Sequence, residues 1–329
     1  MNGAAKRVLI TAPATPVGGA LIAALLRDAT VERLLALYTR ESLPSQASPD
    51  PRLAYVLGDI RRRRDMWRLL LGRARDERIT ALVHDPFQAL PKSTQRGGVS
   101  ADATRELLRL CEEQSSIERI VLRSSIDVYR VAPNQPLLID EDHPLQTGSS
   151  DARIRDVVES DFLACSRIPH TRMQIAVLRC AELLAAESCS EIFDYLCAPL
   201  CLHPWGFDPM LNVLSPADAA QALLLALQSR ACGVFNIPGK DVLPLSELVH
   251  QAGRRSLAVP GSLLSPLYWL RARTTDGHFR YAGHRSRFHY SGILNGARAQ
   301  RALGYAPRHA IDFVELAKDA AAQVRSLLR

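Results

Sequence analysis

The stretch RVLITAPATPVGG at residues 7–19 decides the fold, because it has the pattern of a strand, a tight loop and the start of a helix. The apolar run at 7–11 is typical of a strand that is buried on both faces of a sheet. Thr15 suits a helix N-cap, and Pro16 suits the first helical position. These residues therefore predict the first strand and the first helix of a βαβ unit.

The same alternation continues along the chain. Further strands are predicted at 33–38, 54–57, 81–84, 119–123, 174–178 and 233–237, with helices at 16–27, 66–72, 101–114, 152–166, 217–228 and 312–328. Apolar runs separated by helices indicate parallel strands joined by right-handed crossovers. We therefore predict an α/β fold with a Rossmann-like, doubly wound parallel sheet. This domain is predicted over residues 1–178 and also receives about 211–237, while the remainder of 179–329 forms a smaller interleaved lobe.

Composition and charge exclude several classes of protein. The chain has 329 residues, of which 47% are hydrophobic, and a net charge of +7. The densest basic run, at 61–64, lies beside Asp65 and lacks interleaved aromatic residues, so no nucleic-acid partner is expected. No apolar run reaches the roughly 18 residues of a transmembrane helix. The apolar stretch at 257–270 is broken by Pro260 and Pro266, which favours a lid or packing element over a membrane anchor.

The seven cysteines are odd in number and include no Cys-x-x-Cys pair. No leader segment is expected at the N-terminus, so this pattern predicts free thiols in a reducing, cytoplasmic setting. Cys197, Cys201 and His203 lie close together in sequence but match no standard zinc spacing. We therefore predict no metal site.

Longer motifs accompany the predicted strands. They are SSIDVY at 124–129, LR at 178–179, GVFNI at 233–237 and LGYAP at 303–307. Together with the first loop, their order and spacing resemble the extended short-chain dehydrogenase/reductase family, in its NAD-dependent epimerase/dehydratase branch. The resemblance runs from about residue 7 to residue 320. It implies a nucleotide or nucleotide-sugar ligand, a homodimer, and a C-terminal lobe that binds substrate.

The resemblance also implies a cofactor site. The family carries Thr-Gly-x-x-Gly-x-x-Gly in the first loop, and Ala12, Thr15 and Gly18 occupy the three glycine positions here. Because the first two glycines allow the tight turn and the close approach of the pyrophosphate, this loop is expected to hold a dinucleotide poorly. Arg40 replaces the acidic residue that binds the ribose of NAD, which favours NADP over NAD. The cofactor-binding residues implied by position are Thr11, Thr15, Val17, Gly18, Arg40, Asp59, Ile60 and His84.

The catalytic Tyr-x-x-x-Lys pair of the family is missing. Counting back from Glu159 places Asp151 at the tyrosine position and Arg155 at the lysine position. An aspartate is normally ionised at neutral pH and an arginine keeps its proton, so neither suits the acid/base role. Their i, i+4 spacing predicts a salt bridge instead. Ser125 holds the position of the family hydroxyl that polarises the substrate.

Three functions remain open at this point. The first is a catalytically degenerate relative with a binding or regulatory role, which the loss of the glycines, the tyrosine and the lysine favours. The second is an active NADP-dependent epimerase, dehydratase or reductase, in which Ser125 works with Tyr129, Asp127 or His143. The third is a dimeric scaffold that associates through the helices at 101–114 and 152–166, so whether the chain is an enzyme stays open.

Overall fold

The structure is a computed structural model that describes residues 6–46, 48–86, 99–114, 116–149, 151–186, 188, 190–274, 279 and 281–327. The strands are β1 (Lys6–Ile10), β2 (Val31–Tyr38), β3 (Leu53–Leu57), β4 (Ala81–His84), β5 (Arg119–Ser125), β6 (Leu138–Ile139), β7 (Gln174–Cys180), β8 (Glu182–Leu183), β9 (Leu200–Pro204), β10 (Met210–Leu214), β11 (Gly233–Ile237), β12 (Asp241–Pro244), β13 (Arg255–Val259) and β14 (Ile293–Leu294).

The helices surround these strands. They are α1 (Pro16–Arg27), α2 (Arg63–Trp67), α3 (Ala74–Asp76), α4 (Val99–Gln114), α5 (Ala152–Arg167), α6 (Glu191–Leu196), α7 (Pro216–Gln228), α8 (Leu245–Gln251), α9 (Gly261–Thr274), α10 (Tyr281–His284), α11 (Ala297–Leu303) and α12 (Phe313–Leu327). A π-helical stretch, Arg68–Arg73, joins α2 to α3, and 3₁₀ turns cover Ile126–Val128, Ile168–His170 and Arg285–Phe288. Within the ranges described, no helix has both the length and the hydropathy needed to cross a bilayer.

Seven parallel strands form the central sheet, in the order β11-β7-β5-β4-β1-β2-β3. The chain builds outward from β1 to β3 and then crosses over, so that β4 lies on the other side of β1. The space between the carboxyl ends of β1 and β4 is therefore a topological switch point, where ligands bind in such sheets. The predicted doubly wound parallel sheet is confirmed.

Helices cover both faces of the sheet because its strands are apolar on both sides. Val8 and Ile10 belong to one core, together with the buried faces of α1 and α7. Leu9 points to the opposite core, which α2 and α4 complete. Because side chains alternate along a strand, neighbouring residues pack into separate apolar layers on the two faces of the sheet.

The C-terminal lobe is built from short sheets around a third apolar core. In it, β10 pairs with β8 and β12, and β9 pairs with β13. The chain then returns to the central sheet, because α7 shares a core with α1 and β11 pairs with β7. Strand β10 hydrogen-bonds to β8 and β12, while its last residue, Leu214, belongs to the core that α1 and α7 share. The exact domain boundary stays a prediction.

Candidate functional site

The loop between β1 and α1 is tightly closed on itself. Thr15 is the N-cap of α1; its hydroxyl accepts the Gly18 N–H at 3.1 Å and donates to the Ala12 carbonyl at 2.9 Å. Pro16 brings no N–H to the helix start. A Cβ on Gly18 would lie 2.0 Å from the Ala12 carbonyl oxygen, so this glycine is needed for packing. The loop therefore makes a well-capped helix and offers few donors to a pyrophosphate.

Buried hydrogen bonds fill the switch point between β1 and β4. The Thr11 hydroxyl lies 3.2 Å from His84 Nδ1 and accepts the Asp85 N–H at 3.1 Å. On its other side, His84 Nε2 lies 3.1 Å from the Thr104 hydroxyl. Burial lowers the pKa of His84 to about 4, so the imidazole is neutral at pH 7. Thr11 and His84 thus hold the ends of two strands together.

Of the remaining predicted cofactor residues, Val17 is buried in α1, whereas Arg40, Asp59 and Ile60 follow the carboxyl ends of β2 and β3. Arg40 is exposed, and Ile60 is buried. The Asp59 carboxylate forms an ion pair with Arg61 at 2.6 Å. Burial raises the pKa of Asp59, but the hydrogen bonds from Arg61 outweigh it and hold this pKa below its usual value. The loop is closed by Thr15 and Asp59 is paired with Arg61, and the cofactor role of these residues stays a prediction.

Ser125 begins a short 3₁₀ turn at the end of β5. Its hydroxyl accepts the Asp127 N–H at 3.1 Å and donates to the Asp127 carboxylate at 2.9 Å. The serine and this carboxylate therefore form one unit at the carboxyl edge of the sheet. The role of Ser125 toward a substrate stays a prediction.

Tyr129 lies deep inside the protein. Its hydroxyl donates to Asn236 at 2.6 Å and accepts from Arg179 at 3.1 Å, while the Arg179 guanidinium lies 4.9 Å from the ring centre. Burial raises the pKa of Tyr129 to about 12. A phenol held in this way is poorly placed to exchange a proton with a ligand, and its assignment as acid/base stays a prediction.

Asp151 and Arg155 do not pair as their spacing predicts. Asp151 is the N-cap of α5, and its carboxylate accepts the Arg153 N–H at 2.8 Å. Its ion-pair partner is Arg153, at 3.8 Å, whereas the Arg155 guanidinium donates to the Ser149 carbonyl at 2.8 Å. The predicted salt bridge is therefore wrong, because an N-cap carboxylate turns toward the helix end and away from the next turn.

A buried charge network links the sheet domain to the C-terminal lobe. Arg287 contacts Asp127 and also lies 3.0 Å from the Glu182 carboxylate. His284 Nε2 lies 3.9 Å from Asp127, and its Nδ1 lies 3.9 Å from Glu191. We call this the cleft network; its members are Ser125, Asp127, Asp151, Arg153, Glu182, Ser190, Glu191, His284 and Arg287.

The two carboxylates bound by Arg287 respond differently to burial. Burial raises the pKa of Asp127, but Arg287 and His284 outweigh this effect and hold the pKa below its usual value. For Glu182 burial dominates, so its pKa is raised although Arg287 and the Ser190 hydroxyl lower it in part. The charge of Arg287 is therefore balanced first by Asp127.

Helix α10 of the C-terminal lobe lies directly against Asp151. A Cβ added to Gly283 would lie 2.7 Å from the Asp151 carboxylate, so α10 approaches Asp151 without intervening space. Sequence reasoning missed Glu182, His284 and Arg287. These residues match no motif, and only the topology brings them to the end of β5. Among the residues that the structure describes, no three His, Cys, Asp or Glu side chains group as a metal site.

Comparisons with known proteins bear on the fold. No family model matches the sequence. Uncharacterised proteins of Mycobacterium tuberculosis and Mycobacterium bovis are each 26% identical over 316 residues, covering 92% of this chain and 80% of the relative. A dTDP-glucose 4,6-dehydratase from Streptomyces venezuelae, with NAD and TYD bound, is 22% identical, covers 95% of both chains and has a TM-score of 0.67.

A second solved structure has a different sugar substrate. The UDP-glucuronic acid 4-epimerase from Bacillus cereus, in complex with UDP-glucuronic acid and NAD, is 14% identical, covers 98% of this chain and 99% of its own, and has a TM-score of 0.67. The chain has the fold of nucleotide-sugar epimerases and dehydratases. The resemblance seen in the motifs is thus confirmed at the level of the fold.

Within this epimerase/dehydratase fold, two regions carry polar side chains at the carboxyl edge of the sheet. The switch point holds Thr11 and His84 in hydrogen bonds to protein groups. The cleft network holds a serine, an imidazole, carboxylates and guanidinium groups within reach of one another. Its four carboxylates outnumber its two guanidinium groups, and these groups form ion pairs with one another.

Proposed function

We propose that this protein is a catalytically degenerate relative of the nucleotide-sugar epimerases and dehydratases, with a binding or regulatory role. The observation that carries the proposal is the cleft network. Arg287 lies on Asp127 and Glu182, and α10 covers Asp151, which stands at the lost tyrosine position. A substrate hydroxyl would have to displace a buried ion pair to reach Ser125, and such a displacement leaves charges uncompensated.

The cofactor loop supports the same proposal. Redox chemistry of the family type needs a nicotinamide dinucleotide held firmly, and here the Thr15 hydroxyl already takes the Gly18 N–H. We therefore propose that neither NAD nor NADP binds tightly. The ligand class that remains, by likeness to neighbours that hold UDP-glucose or UDP-glucuronic acid, is a nucleotide or nucleotide sugar.

Isothermal titration tests this proposal directly. Purified full-length protein is titrated with NAD, NADP and UDP-sugars, each up to millimolar concentration. We expect no saturable heat with either dinucleotide. A double variant, Ala12→Gly with Thr15→Gly, restores the family glycines and serves as the matched comparison. Tight dinucleotide binding by the unchanged chain, or hydride transfer to nucleotide sugars that Ser125→Ala abolishes, would overturn the proposal.

A specific geometry favours the second candidate, an active enzyme with substitute residues. Ser125 donates to Asp127, and the His284 imidazole lies 3.9 Å from the same carboxylate. A carboxylate that accepts a hydroxyl can act as its general base, whereas the imidazole at 3.9 Å is beyond hydrogen-bond distance of that carboxylate. This candidate requires NADP binding, so the same titration separates it from the first.

We also propose a homodimer through α4 and α5. These helices pack side by side, and Arg105 of α4 forms an ion pair with Glu159 of α5. Phe162, on α5, is 60% exposed, which is unusual for an aromatic side chain without a partner surface. Sedimentation equilibrium should find a dimer for the unchanged chain and a monomer for Phe162→Asp, with Leu57→Ser as a control on another exposed surface. A monomeric unchanged chain would contradict the proposal.

A further inference from the structure

The C-terminal lobe carries a concentration of exposed apolar side chains. Trp205 is 72% exposed and Leu263 is 50% exposed. We call this surface the lobe patch; its members are Leu200, Trp205, Phe207, Leu257, Leu263, Leu267, Trp269 and Leu270. Isolated apolar side chains on a surface need no explanation, but a cluster of this kind marks an interaction site.

The members of the lobe patch lie in one region because their elements are bonded together. Strands β9 and β13 pair in parallel, with Leu202 opposite Leu257. The Trp205 N–H donates to the Val259 carbonyl at 2.9 Å, and the Tyr268 hydroxyl donates to the Leu202 carbonyl at 2.8 Å. The two strands and α9 therefore form a single raised unit on the lobe.

Helix α9 has apolar side chains on its outer face as well as its inner face. Leu264 and Tyr268, four residues apart, are buried against the lobe. Leu263, Leu267 and Leu270 follow the i, i+4, i+7 spacing of a second stripe, which is exposed. The sequence predicts a packing element here, and that explains the inner stripe alone.

Charged residues lie only at the ends of the segments that carry the lobe patch. Residues 200–207 and 257–270 contain no Asp, Glu, Lys or Arg; Arg255 and Arg271 flank the second segment, and Asp208 follows the first. The Arg271 guanidinium donates to the Leu200 carbonyl at 2.9 Å, so positive charge lies at the edge of the patch itself. Exposed apolar residues and tryptophans with arginines beside them are typical of surfaces that adsorb to anionic lipid.

We propose that the lobe patch docks this protein on an anionic membrane surface. Helix α9 spans 14 residues and contains Pro266, so it would lie in the interface and not cross the bilayer. A second copy of the chain fits this surface less well, because a two-fold interface would bring two copies of Arg255 and Arg271 into one contact, where like charges repel. This inference does not depend on whether the protein has catalytic activity.

Vesicle flotation tests the inference. The full-length chain is mixed with vesicles of phosphatidylcholine alone or of phosphatidylcholine with phosphatidylglycerol. We expect binding to the anionic vesicles, accompanied by a blue shift of tryptophan emission as Trp205 and Trp269 enter the interface. A triple variant, Trp205→Ser with Leu263→Ser and Leu267→Ser, should lower the binding constant about tenfold or more.

The matched control replaces three equally exposed apolar side chains elsewhere, as Leu57→Ser with Leu137→Ser and Val314→Ser. It should bind as the unchanged chain does. Three results would overturn the inference: no binding to anionic vesicles, equal binding by the triple variant and the unchanged chain, or a change of oligomeric state in the triple variant without lipid. Equal binding by the two chains would mean that lipid binding comes from general attraction by the net charge of +7. A change of oligomeric state would mean that the lobe patch binds a second copy of the chain.

Discussion

Two arginines in this molecule each bind a carboxylate inside the protein, but they connect different parts of the chain. Arg179, on β7, bonds both oxygens of the Asp161 carboxylate as well as the Tyr129 hydroxyl. Arg287, from the C-terminal lobe, bonds Asp127 and Glu182 at the end of the sheet. The first joins elements within the Rossmann-like domain, whereas the second joins two parts of the chain across a cleft.

The surroundings of Arg179 show what the sequence motifs do in the fold. Beyond Asp161 and Tyr129, the network around it includes Asn236, whose N–H donates to Glu141 at 2.9 Å. We call it the strand network; its members are Ser124, Tyr129, Glu141, Asp161, Arg179 and Asn236. Three separate motifs thus meet in one set of buried hydrogen bonds. These motifs therefore have a structural role, because they join β5, β7 and β11 through buried hydrogen bonds.

The cleft network differs from the strand network. Its charges come from residues that no motif marks, and they lie at the carboxyl edge of the sheet. Buried polar groups demand partners, and here Asp127 and Glu182 share the guanidinium of Arg287. The residues that the motifs mark and the residues that bring charge to the cleft are therefore different sets.

Replacing each arginine with leucine gives the largest effects and tests the comparison. Arg179→Leu leaves Asp161, whose side chain is fully buried, without its cation. We expect a loss of about 3–5 kcal/mol in the free energy of unfolding. Arg287→Leu should cost roughly 1–3 kcal/mol, since Asp127 keeps the Ser125 hydroxyl and Glu182 keeps that of Ser190. Urea unfolding followed by circular dichroism measures both losses.

The loss of stability caused by Arg287→Leu should also depend on pH. Burial raises the pKa of Glu182, and removing Arg287 strengthens that effect, so Glu182 should take up a proton more readily in Arg287→Leu. A carboxyl with a raised pKa stabilises the fold at low pH and loses that contribution as the pH rises. The loss caused by Arg287→Leu should therefore shrink from pH 7 to pH 5. Arg155→Leu, at an exposed site, serves as the control for the pH dependence. Equal losses of stability in Arg179→Leu and Arg287→Leu would contradict the difference proposed between the two arginines.

The sequence predicts the sheet because its signals are local. The strand and helix patterns, the Thr15 cap and the Pro16 start depend on neighbours in the chain, and the structure agrees with them. The cleft network depends on side chains more than a hundred residues apart, such as Asp127 and Arg287. No periodicity or spacing in the sequence predicts a contact between residues so far apart. The Asp151 and Arg155 prediction failed for a related reason, because spacing on a helix does not show that one member is the cap.

The smallest effect concerns His84, which belongs to neither arginine network and holds the switch point. Its pKa of about 4 lies below the ordinary value of 6.5, so the folded protein favours the neutral ring. Stability from this group is complete above pH 6.5 and is lost as the pH falls toward 4. The stability difference between the unchanged chain and His84→Gln should thus shrink by about 2 kcal/mol from pH 7 to pH 5. His170→Gln, at an exposed site, supplies the baseline. A stability difference that does not change with pH would contradict this prediction. It would mean that Thr11 and Thr104 do not hold a neutral imidazole between them. The switch point could then accept a charged His84 ring, and with it an anion.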